Sequence, residues 1–249
     1  MKMRNIITQS TPEQLRFPAI NGLTIRADFN GGVLSTDLGP LILGGVDRQI
    51  QLTHQMAEAF NDQRHPSYIG HRLTDLMAQR VYQIACGYED ANDANALRKD
   101  PLFKMGVGRT PYEEDQDLAS AATFSRLENA ATSRDLYRLA QVFVDQFIGS
   151  YSKVPEVLVL DMDHSEDETH GQQEFSFYNH HYRSHCYLPL FLFEGLSGKF
   201  ITAVLRSGKR PKGNENAMII KRVLKRLRVM PGLRPVSSCV EMDISPTRN

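Results

Sequence analysis

The stretch Val157–Gly171, VLVLDMDHSEDETHG, runs four apolar residues into a string of carboxylates. Its apolar part has the length and branching of a buried strand, and the unbroken run predicts cover on both faces. Side chains two apart on a strand share a face, so Asp161 and Asp163 project together with Val157 and Val159. Two carboxylates so close repel each other, and a hard cation, or a pair of them, between them relieves the repulsion. An acidic turn suits the same residues, because Glu166, Asp167 and Glu168 continue the run. Spacing alone leaves both readings open.

Downstream, the aromatic and β-branched clusters of QQEFSFYNHHYRSHCYLPLFLFEGLSGKFITAVLRSG predict two or three further strands in a meander. ENAMIIKRVLKRLR reads as a basic amphipathic helix. Upstream of Pro155 the style is helical. Gly31-Gly32, Gly39-Pro40 and Gly44-Gly45 read as turns between short β-like runs. A helix is expected from near Val46 with Ile50, Met56 and Phe60 on its apolar side. SYIGHRLTDLMAQRVYQIACGYED carries Ile69, Leu73, Leu76, Met77, Val81, Ile84 and Ala85 at helical spacing, with Gly87 placed as a C-terminal cap. A short helix stops before Pro101. After a polar, acidic loop come a short helix, a break near Ala130–Ser133, and a long helix with Leu136, Leu139, Val142, Phe143 and Phe147 on one side.

At 249 residues and 41% hydrophobic composition the chain can bury a real core. It has no run long enough to span a bilayer. MKMRNIITQSTPEQ lacks the apolar middle of a signal peptide, so a cytoplasmic chain without membrane contact is expected. Cys86, Cys186 and Cys239 form no metal-type pair and fit a reducing compartment. Formal net charge is zero, but Lys199–Arg228 holds ten basic residues against the single acid Glu215. Such a local positive surface invites a polyanion, although a solvated helix face has the same composition. His181 and His185 lack the glutamate of an HExxH helix, and neither Gly-Gly pair is a phosphate loop.

Several blocks, in order, resemble a family of DDE transposases from bacterial insertion sequences. They are FNGGVLSTDLGPLILGGVDRQIQLT, QRVYQIACGYEDANDANALRKDPLFK, TFSRLEN, LVLDMDHSEDETHGQQE and YLPLFLF, and the similarity runs from about Phe29 to about Arg228. The resemblance implies an α/β fold: a helical N-terminal region followed by an RNase H-like mixed sheet. It implies that three acids bind two Mg2+ ions, where a water or a DNA 3′-hydroxyl attacks a phosphodiester. In such families the first acid commonly stands in Asp-x-Ser/Thr. Asp163-His164-Ser165 fits that pattern, which makes Asp163 the expected catalytic and metal-binding acid and Asp161 its same-face neighbour. DNA at terminal inverted repeats is the implied partner, and a homodimer is left open. Backbone contacts are expected from Arg206, Lys209, Arg210, Lys212, Lys221, Arg222, Lys225 and Arg226. Ser125, Arg126 and Asn129 of TFSRLEN are candidate readers of sequence, against the plainer reading of an exposed helix.

The second acid should follow a later strand, yet after Arg228 the chain turns into VMPGLRPVSSCVEMDISPTRN, with two prolines where a strand is due. Read one base out of frame, with TCN serines, Val236–Cys239 becomes three apolar codons. The following codons permit Arg, Gly, Asp, Gly, His and Phe. The hidden frame thus allows VVVRGDGHF, an apolar strand ending in Asp. A frameshift is inferred, with an incomplete sheet and the second and third acids absent. The expected organisation is a β-rich segment over 1–45 and a helical DNA-binding region over 46–153. The first part of the RNase H-like domain follows over 154–228, and an out-of-frame tail over 229–249. The expected activity is DNA transposition by metal-dependent phosphoryl transfer, incomplete in this chain. The rivals are a DNA-binding regulator that occupies transposon ends without cleavage, and an unrelated metal-dependent α/β protein.

Overall fold

The computed structural model of the chain describes residues 15–20, 22–27, 37–111, 113, 117–211 and 213–228. The expectation that residues 229–249 form no strand lies outside the described residues. Two compact units divide the chain, Met1–Ala131 and Thr132–Asn249.

The first unit opens with an antiparallel hairpin, β1 (Leu15–Ile20) and β2 (Leu23–Ala27), turning at Gly22 with a φ of 81°. Ile20 and Ile25 are buried with Leu41 of α1 (Gly39–Ile50). Helices α2 (Leu52–Ala59), α3 (Leu73–Ala85), α4 (Asp93–Leu97), α5 (Pro101–Val107) and α6 (Ala121–Ala130) follow. The helix expected from Val46 therefore begins earlier, and Gly39-Pro40 and Gly44-Gly45 lie inside it rather than in turns. Pro40 is tolerated because the first turn needs no donor from it. Nor does the helix run on to Phe60. Gln51 takes the left-handed conformation, φ 56°, and separates α1 from α2. The Asp47 carboxylate stitches the break: it accepts from the Thr53 amide at 3.0 Å, the Thr53 hydroxyl at 2.5 Å and the Tyr82 hydroxyl of α3 at 3.0 Å.

Gly44 has a packing reason of its own. A Cβ there would collide with the Gly106 carbonyl of α5, and one on Gly106 would meet the Pro40 carbonyl at 2.6 Å. The two helices cross backbone to backbone. Gly44→Ala gains up to about 1 kcal/mol of helix propensity, but a collision with backbone costs about 1–3 kcal/mol. The collision wins, so a lowered thermal midpoint is expected. Gly45→Ala, with nothing within 4 Å of the added carbon, should be neutral or stabilising. Equal midpoints for the two variants would refute the close crossing.

α3 buries Leu76, Met77 and Tyr82, and Gly87 has a φ of 87° just beyond its end, as expected of a cap. Gln79 is fully buried and exchanges two hydrogen bonds with the Ala119 backbone, at 2.9 and 3.0 Å. The short helix before Pro101 is present as α4. Pro101 also starts a helix that sequence reading missed, because Asp100 caps the Leu102 and Phe103 amides at 2.8 and 2.9 Å. Part of the acidic loop is tied down too: Asp117 pairs with the buried Lys104 at 3.0 Å.

The second unit starts with α7 (Ser133–Gly149), opened by a reciprocal cap between Thr132 and Asp135. β3 (Leu160–His164), β4 (Asp167–Glu168), β5 (Phe177–Asn179), β6 (Ser184–Tyr187), β7 (Leu190–Glu194), β8 (Lys199–Val204) and α8 (Gly213–Leu227) complete it. Two three-stranded sheets form, ordered β3-β7-β8 and β4-β6-β5, with every pair antiparallel. The core lies between the first sheet and the two helices: Val144 and Phe147 of α7, Leu192 and Ile201 of the sheet, Val223 and Leu227 of α8. Helices come first and antiparallel sheets later, a mixed α/β arrangement consistent with an incomplete RNase H-like fold. Leu136, expected on the apolar side of α7, is instead exposed.

Candidate functional site

The strand that decides the fold is placed differently from the sequence expectation. β3 covers Leu160–His164, and among the described residues it is an edge strand bonded to β7 alone. It is not covered on both faces. Leu158, Leu160 and Met162 pack on the core, while Val157 and Val159 are exposed. Alternation, not apolar continuity, sets the burial, since among the described residues of this unit the helices α7 and α8 lie against one face of the sheet.

Asp161 and Asp163 therefore share a face, as the spacing predicts, and it is the face turned away from α7 and α8. Both are exposed. Opposite them on β7 stand Phe193 and Phe191, whose rings stack at 6.5 Å, so the two carboxylates border a half-exposed aromatic strip. Such a face can attract a cation. Yet among the described residues no group of three or more His, Cys, Asp or Glu side chains could hold a metal ion. The residues at hand fall short of a complete site, and no step through a metal is derived from them.

The next residue, His164, points to the core side of the strand and meets Arg206. The Arg206 guanidinium lies 2.6 Å from His164 Nδ1; since arginine only donates, Nδ1 accepts and the ring proton sits on Nε2. Burial, then the Arg206 charge, hold the imidazole below its usual range, with Asp163 opposing. Arg206 also donates to the Leu188 carbonyl at 3.1 Å and to Asn216 Oδ1 at 2.9 Å. This predicted DNA contact thus ties together β3, the residues just before β7, and α8.

The other basic residues divide in the same way. Lys209 lies 4.0 Å over the Phe177 ring and Arg222 5.6 Å over Tyr137. Arg226 grips both Asp145 oxygens, at 2.7 and 2.6 Å. Arg210, Lys221 and Lys225 are exposed and make no hydrogen bond or ion pair among the described residues. Lys212 lies outside the described residues. Sequence reading passed over Arg134 and Arg138, exposed one turn apart on α7; their i,i+4 spacing was the available signal.

In the first unit, Ser125, Arg126 and Asn129 lie exposed on α6, while Phe124 anchors the opposite side. Asn129 donates to Ser125 at 3.3 Å and Arg126 to Thr123 at 3.2 Å. These are local bonds that a ligand could displace. His181 and His185 face different partners, Tyr182 and Tyr178. No helix among the described residues is long and apolar enough to cross a membrane.

Residues 17–234 match the family model of the transposase DDE domain, group 1. No curated protein and no solved structure matches the chain.

Proposed function

The chain belongs to the DDE transposases of group 1, and from that premise we propose that it is an insertion-sequence transposase that binds terminal inverted repeats but does not cut them alone. Transposases of this family act on DNA and generally use a divalent metal. Asp163, with Asp161 beside it, is the first acid of the set, and Mg2+ is the ion it would help to hold in the intact family. A two-metal displacement needs carboxylates on both sides of the phosphodiester. The observation that carries the reading is the donor set: two carboxylates share one open strand face, and the described residues add no third. The out-of-frame reading of residues 229–249 supports it independently. Duplex contacts come from the second unit's basic surface, and α6 reads sequence through Ser125, Arg126 and Asn129. Action on bacterial DNA places the protein in the cytoplasm, and a homodimer would bring two ends together.

One incubation tests this. The full chain, wild type or Arg126→Ala, is mixed with inverted-repeat duplex and Mg2+, and both binding and nicking are followed. Binding without nicks is expected, with the preference for the repeat lost in the variant. Nicks made by the wild type would overturn catalytic incompleteness. A preference that survives Arg126→Ala would remove α6 as the reader. Binding without nicks favours the second reading, a regulator that occupies ends, only if the bound protein also blocks cutting by an active transposase.

A further inference from the structure

α7 and α8 lie side by side on one face of the β3-β7-β8 sheet, their apolar sides meeting in one core. Two contacts tie the pair together: Arg226 clasps Asp145, and Arg222 covers Tyr137. Around these contacts stand Arg134 and Arg138 on α7, and Lys221 and Lys225 on α8. All four are exposed and without a hydrogen bond or ion pair among the described residues. The acids of the two helices are engaged elsewhere. Asp135 caps α7 from a buried position, Asp145 holds Arg226, and Glu215 lies near Arg206. What remains outward is four free cations in two rows.

Within a row the spacing is one helical turn, about 5–6 Å, and the two rows stand on packed helices, whose axes typically lie about 8–10 Å apart. A duplex carries one phosphate per about 3.4 Å of axis on each strand and its major groove is about 12 Å wide, so a patch of this size spans several phosphates. Single-strand binding would instead need open aromatic faces for bases to stack on. Here Arg222 already covers one face of Tyr137, and among the described residues no second ring is paired with it. The sheet geometry adds a constraint. Asp161 and Asp163 lie on the opposite face, separated from the rows by the sheet and a helix layer about 10 Å thick.

We propose that Arg134, Arg138, Lys221 and Lys225 form a duplex-binding platform for a DNA segment other than the one presented to Asp161 and Asp163. It deepens the DNA-binding function proposed above and depends on it. DNA held on the helices cannot reach the carboxylates of the same copy without wrapping round the unit. The platform therefore serves flanking DNA or a second duplex, and leaves the acid face free.

The test measures binding of the full chain to a fluorescent 20-base-pair duplex over a salt series, by anisotropy. Arg134→Ala/Arg138→Ala and Lys221→Ala/Lys225→Ala should each flatten the log affinity against log salt slope by about 1.8, two phosphate contacts per pair. If the wild type binds and both paired variants keep its slope, the platform is wrong. No duplex binding by the wild type defeats the proposed DNA-binding function itself, a separate result.

Discussion

Raising salt from 50 to 200 mM should weaken duplex binding by about 10²–10³-fold, because the five cations proposed as phosphate contacts give a slope of about −4.5. Those five are Arg134, Arg138, Arg210, Lys221 and Lys225. The magnitude discriminates between two counts. If all eight basic residues singled out from Lys199–Arg228 met phosphates, the slope would be about −7 and the loss about 10⁴-fold. The structure removes several of them from that count. Arg206 donates into the fold, and Arg226 would have to leave a two-bond grip on Asp145 to meet DNA. An exposed ion pair is worth only about 0–1 kcal/mol, so a phosphate could compete for Arg226; it gains little by doing so. A titration over this salt range settles the count. A slope near −7 would show that the internal contacts open on binding, and a slope near zero would exclude the electrostatic surface altogether.

Of the eight, Arg210, Lys221 and Lys225 are exposed and make no hydrogen bond or ion pair among the described residues, and that reduction shows how much of the site the sequence makes legible. Charge runs are visible in one dimension, and the α8 row is found that way. Which cations are already engaged depends on Asp145, Tyr137 and His164, residues 81, 85 and 42 positions away from Arg226, Arg222 and Arg206. No local pattern reports them. The same limit explains the opening strand. VLVL looks buried on both faces because all four residues are apolar, yet Leu158 and Leu160 alone pack inward while Val157 and Val159 stay outside. The same-face prediction for Asp161 and Asp163 survives because strand parity is a local property. Gly44 shows the opposite case. A glycine pair usually marks a turn, and only the approach of Gly106 from α5 explains why it sits in a helix. α7 was more legible, since its start is set by a cap between Thr132 and Asp135, three residues apart.

The acid strand depends in turn on a residue no motif points to. Glu194 ends β7 and is 2% exposed, a carboxylate almost wholly inside. Its oxygens accept from the amides of Val159 at 3.1 Å, Leu196 at 3.2 Å and Ser197 at 2.7 Å, and from the Ser197 hydroxyl at 2.6 Å. One side chain thus shapes the β7–β8 turn and holds the backbone two residues before Asp161. Burial pushes its pKa up, but the Ser197 hydroxyl and the three amides together outweigh burial and leave it below the ordinary carboxylate range. A carboxylate lowered on folding stabilises the protein above its unfolded pKa, and that stability is lost as pH falls through the folded value. Charged-acceptor hydrogen bonds contribute about 1.5–3 kcal/mol each and are not additive, so Glu194→Ala should cost about 3–4 kcal/mol at pH 7. Glu194→Gln keeps the shape but loses the charge and turns an amide donor toward donors. It should therefore be destabilised at pH 7 and lose less than the wild type as pH falls into the acid range. Urea unfolding at pH 7 and in acid measures both effects. Variants that match the wild type at pH 7 would show that the acid strand is held by its β7 ladder alone.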